Sequence, residues 1–161
     1  MGLYFSGSWC GPCCRFTPNL VEVYEELLPK GDFELVFISS DRNDESFDGY
    51  FAKMPWLAVP FSDSETRKRL KELFNVRGIP HLVVLDANGK VLTDQGVRIV
   101  REYGVDGYPF TAEKIQFLKE EEEAAKKNQS LSSILVFGSR DYLVSNDGNK
   151  VKFWLRVQLA L

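Results

Sequence analysis

The feature that most constrains the fold is a short apolar run that leads, through two cysteines separated by Gly-Pro, into a helix. The run from Leu3 to Phe5 has the character of a core strand. Apolar residues then recur at helical spacing between Cys10 and Leu28, and Pro29 ends the helix. The sequence therefore predicts a strand followed directly by a helix that begins at the cysteines.

Apolar periodicity and turn residues predict the remaining elements. They are a strand at 33–38, a helix capped by Asn43 or Asp41, a loop at 54–60, a helix at 64–74, strands at 81–86 and 90–93, and a helix at 111–127. Within the helix at 64–74 the apolar side chains, among them Leu73, are expected to face inward. Its basic residues are expected to point mostly outward.

This order predicts an α/β fold with a central mixed four-stranded sheet and helices on both faces. The βα alternation of the first half gives a parallel pair of strands. Asn88-Gly89 supplies the turn of a later antiparallel hairpin. The helix that carries the cysteines then begins at the carboxyl end of the first strand, where open α/β sheets usually bind their partners.

Composition and charge argue against several classes of protein. The chain has 161 residues and a formal net charge of −3, with both signs interspersed, so it lacks the basic stripe of a nucleic-acid-binding protein. No apolar run approaches the roughly 18 residues of a membrane span. Cys10, Cys13 and Cys14 lie within five positions, which indicates chemistry or metal binding rather than a secreted disulfide scaffold.

Cys10 and Cys13 are predicted to be a redox pair. They lie one turn apart on the same face of the helix, close enough to form a disulfide. Cys10 precedes the paired amides of the helix, so that unpaired N–H groups and the positive end of the macrodipole stabilise its thiolate. We expect Cys10 to attack a substrate disulfide and the more shielded Cys13 to resolve the mixed disulfide. Pro12 stiffens the turn, and Trp9 offers an apolar surface beside the sulfur.

Two other interpretations of the cysteines are weaker. A zinc site needs four ligands, but only Cys14 and His81 remain beside the pair, so no metal site is predicted. A pair of inert buried cysteines fits poorly with Gly11-Pro12 between them at a helix start.

Ile79-Pro80 is the second candidate element of the site. An X-Pro bond just before a strand is either a cis peptide or an ordinary trans proline that starts an edge strand. A cis proline that faces Cys10 leaves the backbone of Ile79 free to pair with an extended substrate segment. The adjacent His81 is either a proton carrier near the thiols or, as we favour, a half-exposed strand residue.

These motifs together resemble the thioredoxin superfamily, and more closely its nucleoredoxin and tryparedoxin branch. The segments that carry the resemblance are Trp9-Cys10-Gly11-Pro12-Cys13, Tyr4-Phe5-Ser6, Arg15-Phe16-Thr17-Pro18, Pro55-Trp56-Leu57-Ala58-Val59-Pro60-Phe61 and Gly78-Ile79-Pro80. The stretch from Tyr103 to Phe110 is similar to plant nucleoredoxins in particular.

The resemblance implies a protein-disulfide reductase of the cytosol or nucleus. Cys10 and Cys13 are then the redox pair, supported by Trp9, Gly11 and Pro12, with Pro80 as a cis proline. No bound cofactor is expected. Disulfide-containing proteins are the expected substrates, and reducing equivalents are expected from NADPH through an upstream reductase of the thioredoxin-reductase type.

The resemblance also implies a domain organisation. Residues 1–128 form a thioredoxin-like domain without the hairpin that normally precedes its core, residues 129–133 a linker, and residues 134–161 the divergent start of a second thioredoxin-like repeat. Two departures from the family pattern stand out. Tyr4 replaces a buried aspartate that manages the proton of the second cysteine, and Cys14 replaces a basic residue and is expected to pack as a small apolar side chain.

Two rival functions remain open at this point. One is a thiol peroxidase, which needs a Pro and Thr arrangement before a reactive cysteine. Phe16-Thr17-Pro18 has no cysteine in that relation. The other is a redox-inactive binding module of the same fold that holds partners through the groove at Pro80.

Overall fold

A mixed five-stranded sheet forms the centre of the N-terminal part of the chain. The computed structural model describes residues 1–31, 33–128, 142–144, 146 and 148–152. Strands β1 (Gly2–Ser6), β2 (Leu35–Ser39), β3 (Leu57–Ala58), β4 (His81–Leu85) and β5 (Val91–Thr93) lie in the order β3-β2-β1-β4-β5. The β1–β2 and β2–β3 pairs are parallel, and the β1–β4 and β4–β5 pairs are antiparallel.

Five α-helices accompany these strands in the described residues. They are α1 (Gly11–Leu27), α2 (Asp44–Phe51), α3 (Ser64–Leu73), α4 (Gly96–Tyr103) and α5 (Ala112–Asn128), with short 3-10 turns at Leu28–Lys30 and Gly104–Gly107. Asn43, rather than Asp41, caps α2, because its side chain accepts a hydrogen bond from the backbone N–H of Ser46. None of the described helices is long and apolar enough to cross a bilayer.

Side-chain alternation gives the sheet two different faces. Leu3, Phe5, Ile38, Val83 and Leu85 form an apolar cluster, against which Leu70 and Phe74 pack from α3 and its C-terminal end. Tyr4, Phe37 and Leu82 point to the opposite face. There Tyr4 contacts Phe16 of α1, and Phe37 stacks on Phe47 of α2. The predicted α/β class, mixed sheet and helices on both faces are therefore confirmed.

The sheet has one strand more than the predicted four. The fifth is β3, which the sequence presented as part of a proline-flanked loop. It pairs only Leu57 and Ala58 with β2, and this length is too short to show an alternating pattern.

A helix that was not predicted, α4, packs closely on β4. It begins without a side-chain cap, so the usual sequence signal for a helix start is missing. A Cβ atom at Gly96 would lie 2.7 Å from the carbonyl oxygen of Leu82, so only glycine permits this approach. Ile99 and Val100 are its buried apolar residues.

Helix α3 departs from the predicted orientation of its side chains. Leu73 is exposed rather than inward. Arg67 and Lys71, expected mostly outward, are half-buried, and both donate hydrogen bonds to the loop after β2. Polar partners on that loop make this burial possible.

The described residues separate after Gln116 into two compact units. The second contains the remainder of α5 and an antiparallel hairpin of β6 (Tyr142–Val144) and β7 (Lys150–Lys152). The linker predicted at 129–133 and most of the repeat start predicted at 134–161 lie outside the described residues.

Candidate active site

Cys10 is the N-cap residue of α1, and its sulfur takes the place of the usual capping oxygen. Its backbone is extended, with φ −90° and ψ 104°, and its Sγ accepts a hydrogen bond from the backbone N–H of Cys13 at 3.3 Å. No acidic residue occupies the first turn. The free amides and the positive end of the helix dipole therefore act on this sulfur without competition from a carboxylate.

A disulfide joins Cys10 and Cys13, whose Cα atoms are 5.2 Å apart. The helix begins at Gly11 and Pro12 stands within its first turn, where a proline sacrifices no intrahelical hydrogen bond. The two sulfurs are held at bonding distance by the local backbone of one turn. Formation and cleavage of this disulfide therefore require no movement of a distant part of the chain.

The two cysteines differ in access to solvent. Cys10 retains 6% of its surface, whereas Cys13 is completely buried. An incoming disulfide or thiol reaches Cys10 first, and Cys13 reacts only with the Cys10 sulfur. This asymmetry fits an attacking and a resolving sulfur.

Ile79 and Pro80 meet the disulfide from the turn before β4. The Ile79–Pro80 peptide bond is cis, as the resemblance implied. The carbonyl oxygen of Ile79 lies 3.6 Å from Cys10 Sγ. The structure thus brings together the cysteine pair and the backbone that was predicted to receive an extended substrate.

Trp9 stands beside the disulfide with 60% of its surface exposed. Its indole Nε1–H donates a 3.0 Å hydrogen bond to the carbonyl oxygen of Ser40, which fixes the ring while leaving much of it open. An exposed, tethered indole of this kind offers area for contact with a partner at little entropic cost.

The segment Ser39–Asp41, which runs from the last residue of β2 into the following loop, supports Ser8 and Trp9 just before Cys10, and the sequence did not predict this role. Asp41 accepts hydrogen bonds from the Ser8 N–H and the Ser39 hydroxyl, both at 2.8 Å. The position of Asp41, after a buried strand and opposite the end of β1, could have indicated this supporting role. A helix-capping role explained the same residue equally well.

Two cations on α3 hold the same loop. Arg67 donates to the carbonyl oxygens of Ser39 and Phe61, and Lys71 Nζ donates to Ser40 Oγ at 2.7 Å. Burial, followed by the charge of Arg67, lowers the pKa of Lys71. These cations therefore act through the loop on the position of Trp9 and Ser8.

Cys14 is exposed, which corrects the expectation that it packs as a small apolar residue. It follows Cys13 on the helix and so projects about 100° away from it, toward solvent. Its thiol donates to the carbonyl oxygen of Ser8 at 3.2 Å. Cys14 is therefore a free thiol outside the disulfide.

His81 is half-buried in β4, beside Phe5, as expected for a strand residue. Its Nε2 is buried without a hydrogen-bond partner among the described residues. Burial lowers the pKa of His81, and the charge of Asp94 partly opposes this effect. The described part of the chain holds no cluster of three or more His, Cys, Asp or Glu side chains suited to a metal ion.

Comparison with known proteins places this site in a family. A sequence model described as "Thioredoxin-like" matches residues 1–91. Probable nucleoredoxin 1 of Arabidopsis thaliana is 61% identical over 151 residues, which cover 94% of this chain and 26% of that protein. Human nucleoredoxin is 40% identical over 143 residues, covering 88% of this chain and 33% of its own length. The chain thus spans about a quarter to a third of these relatives.

Solved structures give the same relationship. Native tryparedoxin I from Crithidia fasciculata superposes with a TM-score of 0.63 at 44% identity, over 67% of this chain and 76% of that one. Tryparedoxin from Trypanosoma brucei gives a TM-score of 0.63 at 41% identity, over 68% and 78% of the two chains. With its Cys10–Cys13 disulfide at the start of α1, the chain belongs to the thioredoxin-like family, with nucleoredoxins and tryparedoxins among its relatives.

Proposed function

We propose that this chain reduces protein disulfides reversibly, with Cys10 as the attacking and Cys13 as the resolving cysteine. The observation that carries the proposal is the Cys10 sulfur at the N-cap of α1, in a residue that retains 6% of its surface and is bonded to a fully buried partner. Its nucleoredoxin and tryparedoxin relatives support the reaction class.

The reaction proceeds in two exchanges. The Cys10 thiolate attacks one sulfur of the substrate disulfide, so that a Cys10–substrate bond forms and the other substrate sulfur leaves as a thiolate. Cys13 then loses its proton and attacks Cys10, which forms the Cys10–Cys13 disulfide and releases the second substrate thiolate. Two electrons pass from the dithiol to the substrate. During the first exchange the substrate backbone pairs with Ile79 beside Pro80 and rests against Trp9.

A donor must return two electrons to the Cys10–Cys13 disulfide after each cycle. By likeness to the nucleoredoxins, this donor would be a reductase of the thioredoxin-reductase type that draws on NADPH. By likeness to nucleoredoxins we place this cycle in the cytosol or nucleus.

The domain organisation also stands as a proposal. It assigns residues 1–128 to the thioredoxin-like domain, 129–133 to a linker and 134–161 to the start of a second repeat. The hairpin of β6 and β7 and the greater length of the relatives support it. Limited proteolysis should cut first between residues 128 and 134, whereas first cleavage inside 1–116 would count against it.

The decisive experiment is insulin reduction followed by turbidity, with dithiothreitol as the electron donor. Cys10→Ser should abolish catalysis, and Cys13→Ser should trap a mixed disulfide with insulin that is visible on a non-reducing gel. Cys14→Ser is the matched control, because Cys14 lies outside the disulfide, and it should retain the parent rate. An active Cys10→Ser protein would refute the assignment, and peroxide consumption without a partner protein would favour the peroxidase.

A further inference from the structure

A buried cluster of four hydroxyl groups lies where β1, α1 and α2 meet. Thr17 Oγ1 is its centre, within 2.9 Å of Tyr4 Oη and 2.7 Å of Tyr50 Oη, and Ser6 Oγ lies 2.9 Å from Tyr50 Oη. Thr17 Oγ1 also donates to the carbonyl oxygen of Cys13 at 3.0 Å. The cluster therefore links three secondary-structure elements to the resolving cysteine.

Counting protons fixes the direction of every bond in this cluster. A hydroxyl has one proton and two acceptor positions. Because Thr17 gives its proton to the Cys13 carbonyl, both tyrosines must donate to Thr17. Tyr50 has then used its proton, so Ser6 must donate to Tyr50. All four O–H dipoles consequently run toward Cys13, with their positive ends leading.

The cluster contains no carboxylate. Burial raises the pKa of Tyr4, so this phenol stays neutral and serves as a donor. Charged side chains on the surrounding elements include Glu22 and Lys53, which line a cavity of about 360 Å³ with Thr17 and Tyr50, Arg101 over the Phe16 ring, and Asp41 in the loop after β2. Within the described residues, none of them hydrogen-bonds to the four hydroxyls.

We propose that Thr17, oriented by Tyr4 and Tyr50, is a positioning residue that favours the thiolate of Cys13 during the resolving step. The aligned donors draw electron density from the Cys13 carbonyl oxygen, which reduces the negative potential at the neighbouring sulfur in a buried, low-dielectric setting. The aspartate that Tyr4 replaces in the family pattern would be a base for the proton of Cys13. The hydroxyl cluster cannot accept it, and instead makes its departure easier. This inference rests on the proposed function.

The test measures Cys13 directly, without a substrate. In a Cys10→Ser/Cys14→Ser background Cys13 is the only thiol among the three cysteines of the chain. Its titration midpoint is read from the ¹³Cβ chemical shift as a function of pH. Thr17→Val, which removes the hydroxyl at nearly constant shape, should raise this midpoint by about 0.5–1 pH unit, the equivalent of one net hydrogen bond. Thr17→Ser keeps the hydroxyl and should restore the parent value.

The outcomes separate this proposal from a purely structural role and from the proposed function. Tyr50→Phe should shift the midpoint in the same direction but less, and it decides the question alone if Thr17→Val does not fold. A lowered melting temperature with an unchanged midpoint in either variant would overturn the proposal. Because the titration needs no substrate, inactivity toward insulin would leave its result intact.

Discussion

The two faces of the central sheet carry different kinds of side chain. The face under α3 is an apolar cluster that includes Phe5, Ile38 and Val83. The face under α1 and α2 is aromatic and carries hydroxyl groups, with Tyr4 and Tyr50 bonded to Thr17. The first face stabilises the fold by burying apolar side chains. The second face buries side chains as well, and it also orients hydroxyl groups toward the Cys13 carbonyl. The difference indicates that stability and redox chemistry can be altered separately, and substitutions on both faces test this separation.

The largest expected effect is on the apolar face. Ile38→Ala should lower the free energy of unfolding by about 2–5 kcal/mol, because the side chain is completely buried and its removal leaves a cavity. Chemical denaturation of the reduced protein measures this loss. The titration midpoint of Cys13 should not change; a shift as large as that of Thr17→Val would show that the two faces are coupled.

A smaller effect on stability is expected on the hydroxyl face. Tyr50→Phe should lower the free energy of unfolding by about 1–3 kcal/mol, since it removes two buried hydrogen bonds while it keeps the ring against Phe37. Ser6→Ala/Tyr50→Phe should recover part of this loss, because no serine hydroxyl is then left unpaired. A double-mutant cycle by denaturation measures the recovery, and strict additivity would contradict the bond between the two groups.

The smallest effect concerns His81, a titratable group on the apolar face. Burial lowers its folded-state pKa below the ordinary histidine value of 6.5, so the unfolded chain binds the proton more readily. Stability should therefore be unaffected above pH 6.5 and fall as the pH decreases from 6.5 through the folded-state value. His81→Thr should flatten this part of the stability curve measured by denaturation at several pH values. An unchanged slope would assign the acid sensitivity to other groups.

The elements whose pattern lies within one segment of the chain could be predicted from the sequence. The cysteine motif, α1 and the strands β1, β2 and β4 follow from spacing and apolar periodicity within single segments. The sequence did not predict β3, whose pairing is set by β2, or the exposure of Leu73, which depends on where α3 ends. The Tyr4–Thr17–Tyr50 contacts join three distant segments, so no local signal reveals them. Asp41 had two satisfactory interpretations, and only its contact with Ser8 decides between them.

The position of β1 has a consequence for how the redox centre is lost. This strand is hydrogen-bonded to β2 on one edge and to β4 on the other. Cys10 lies four residues beyond the end of this strand. Amides paired on both sides exchange with solvent only when the cooperative unit opens as a whole. The sulfur pair is thus anchored to the most slowly opening segment, and heat or denaturant should abolish its geometry in the same transition that melts the sheet.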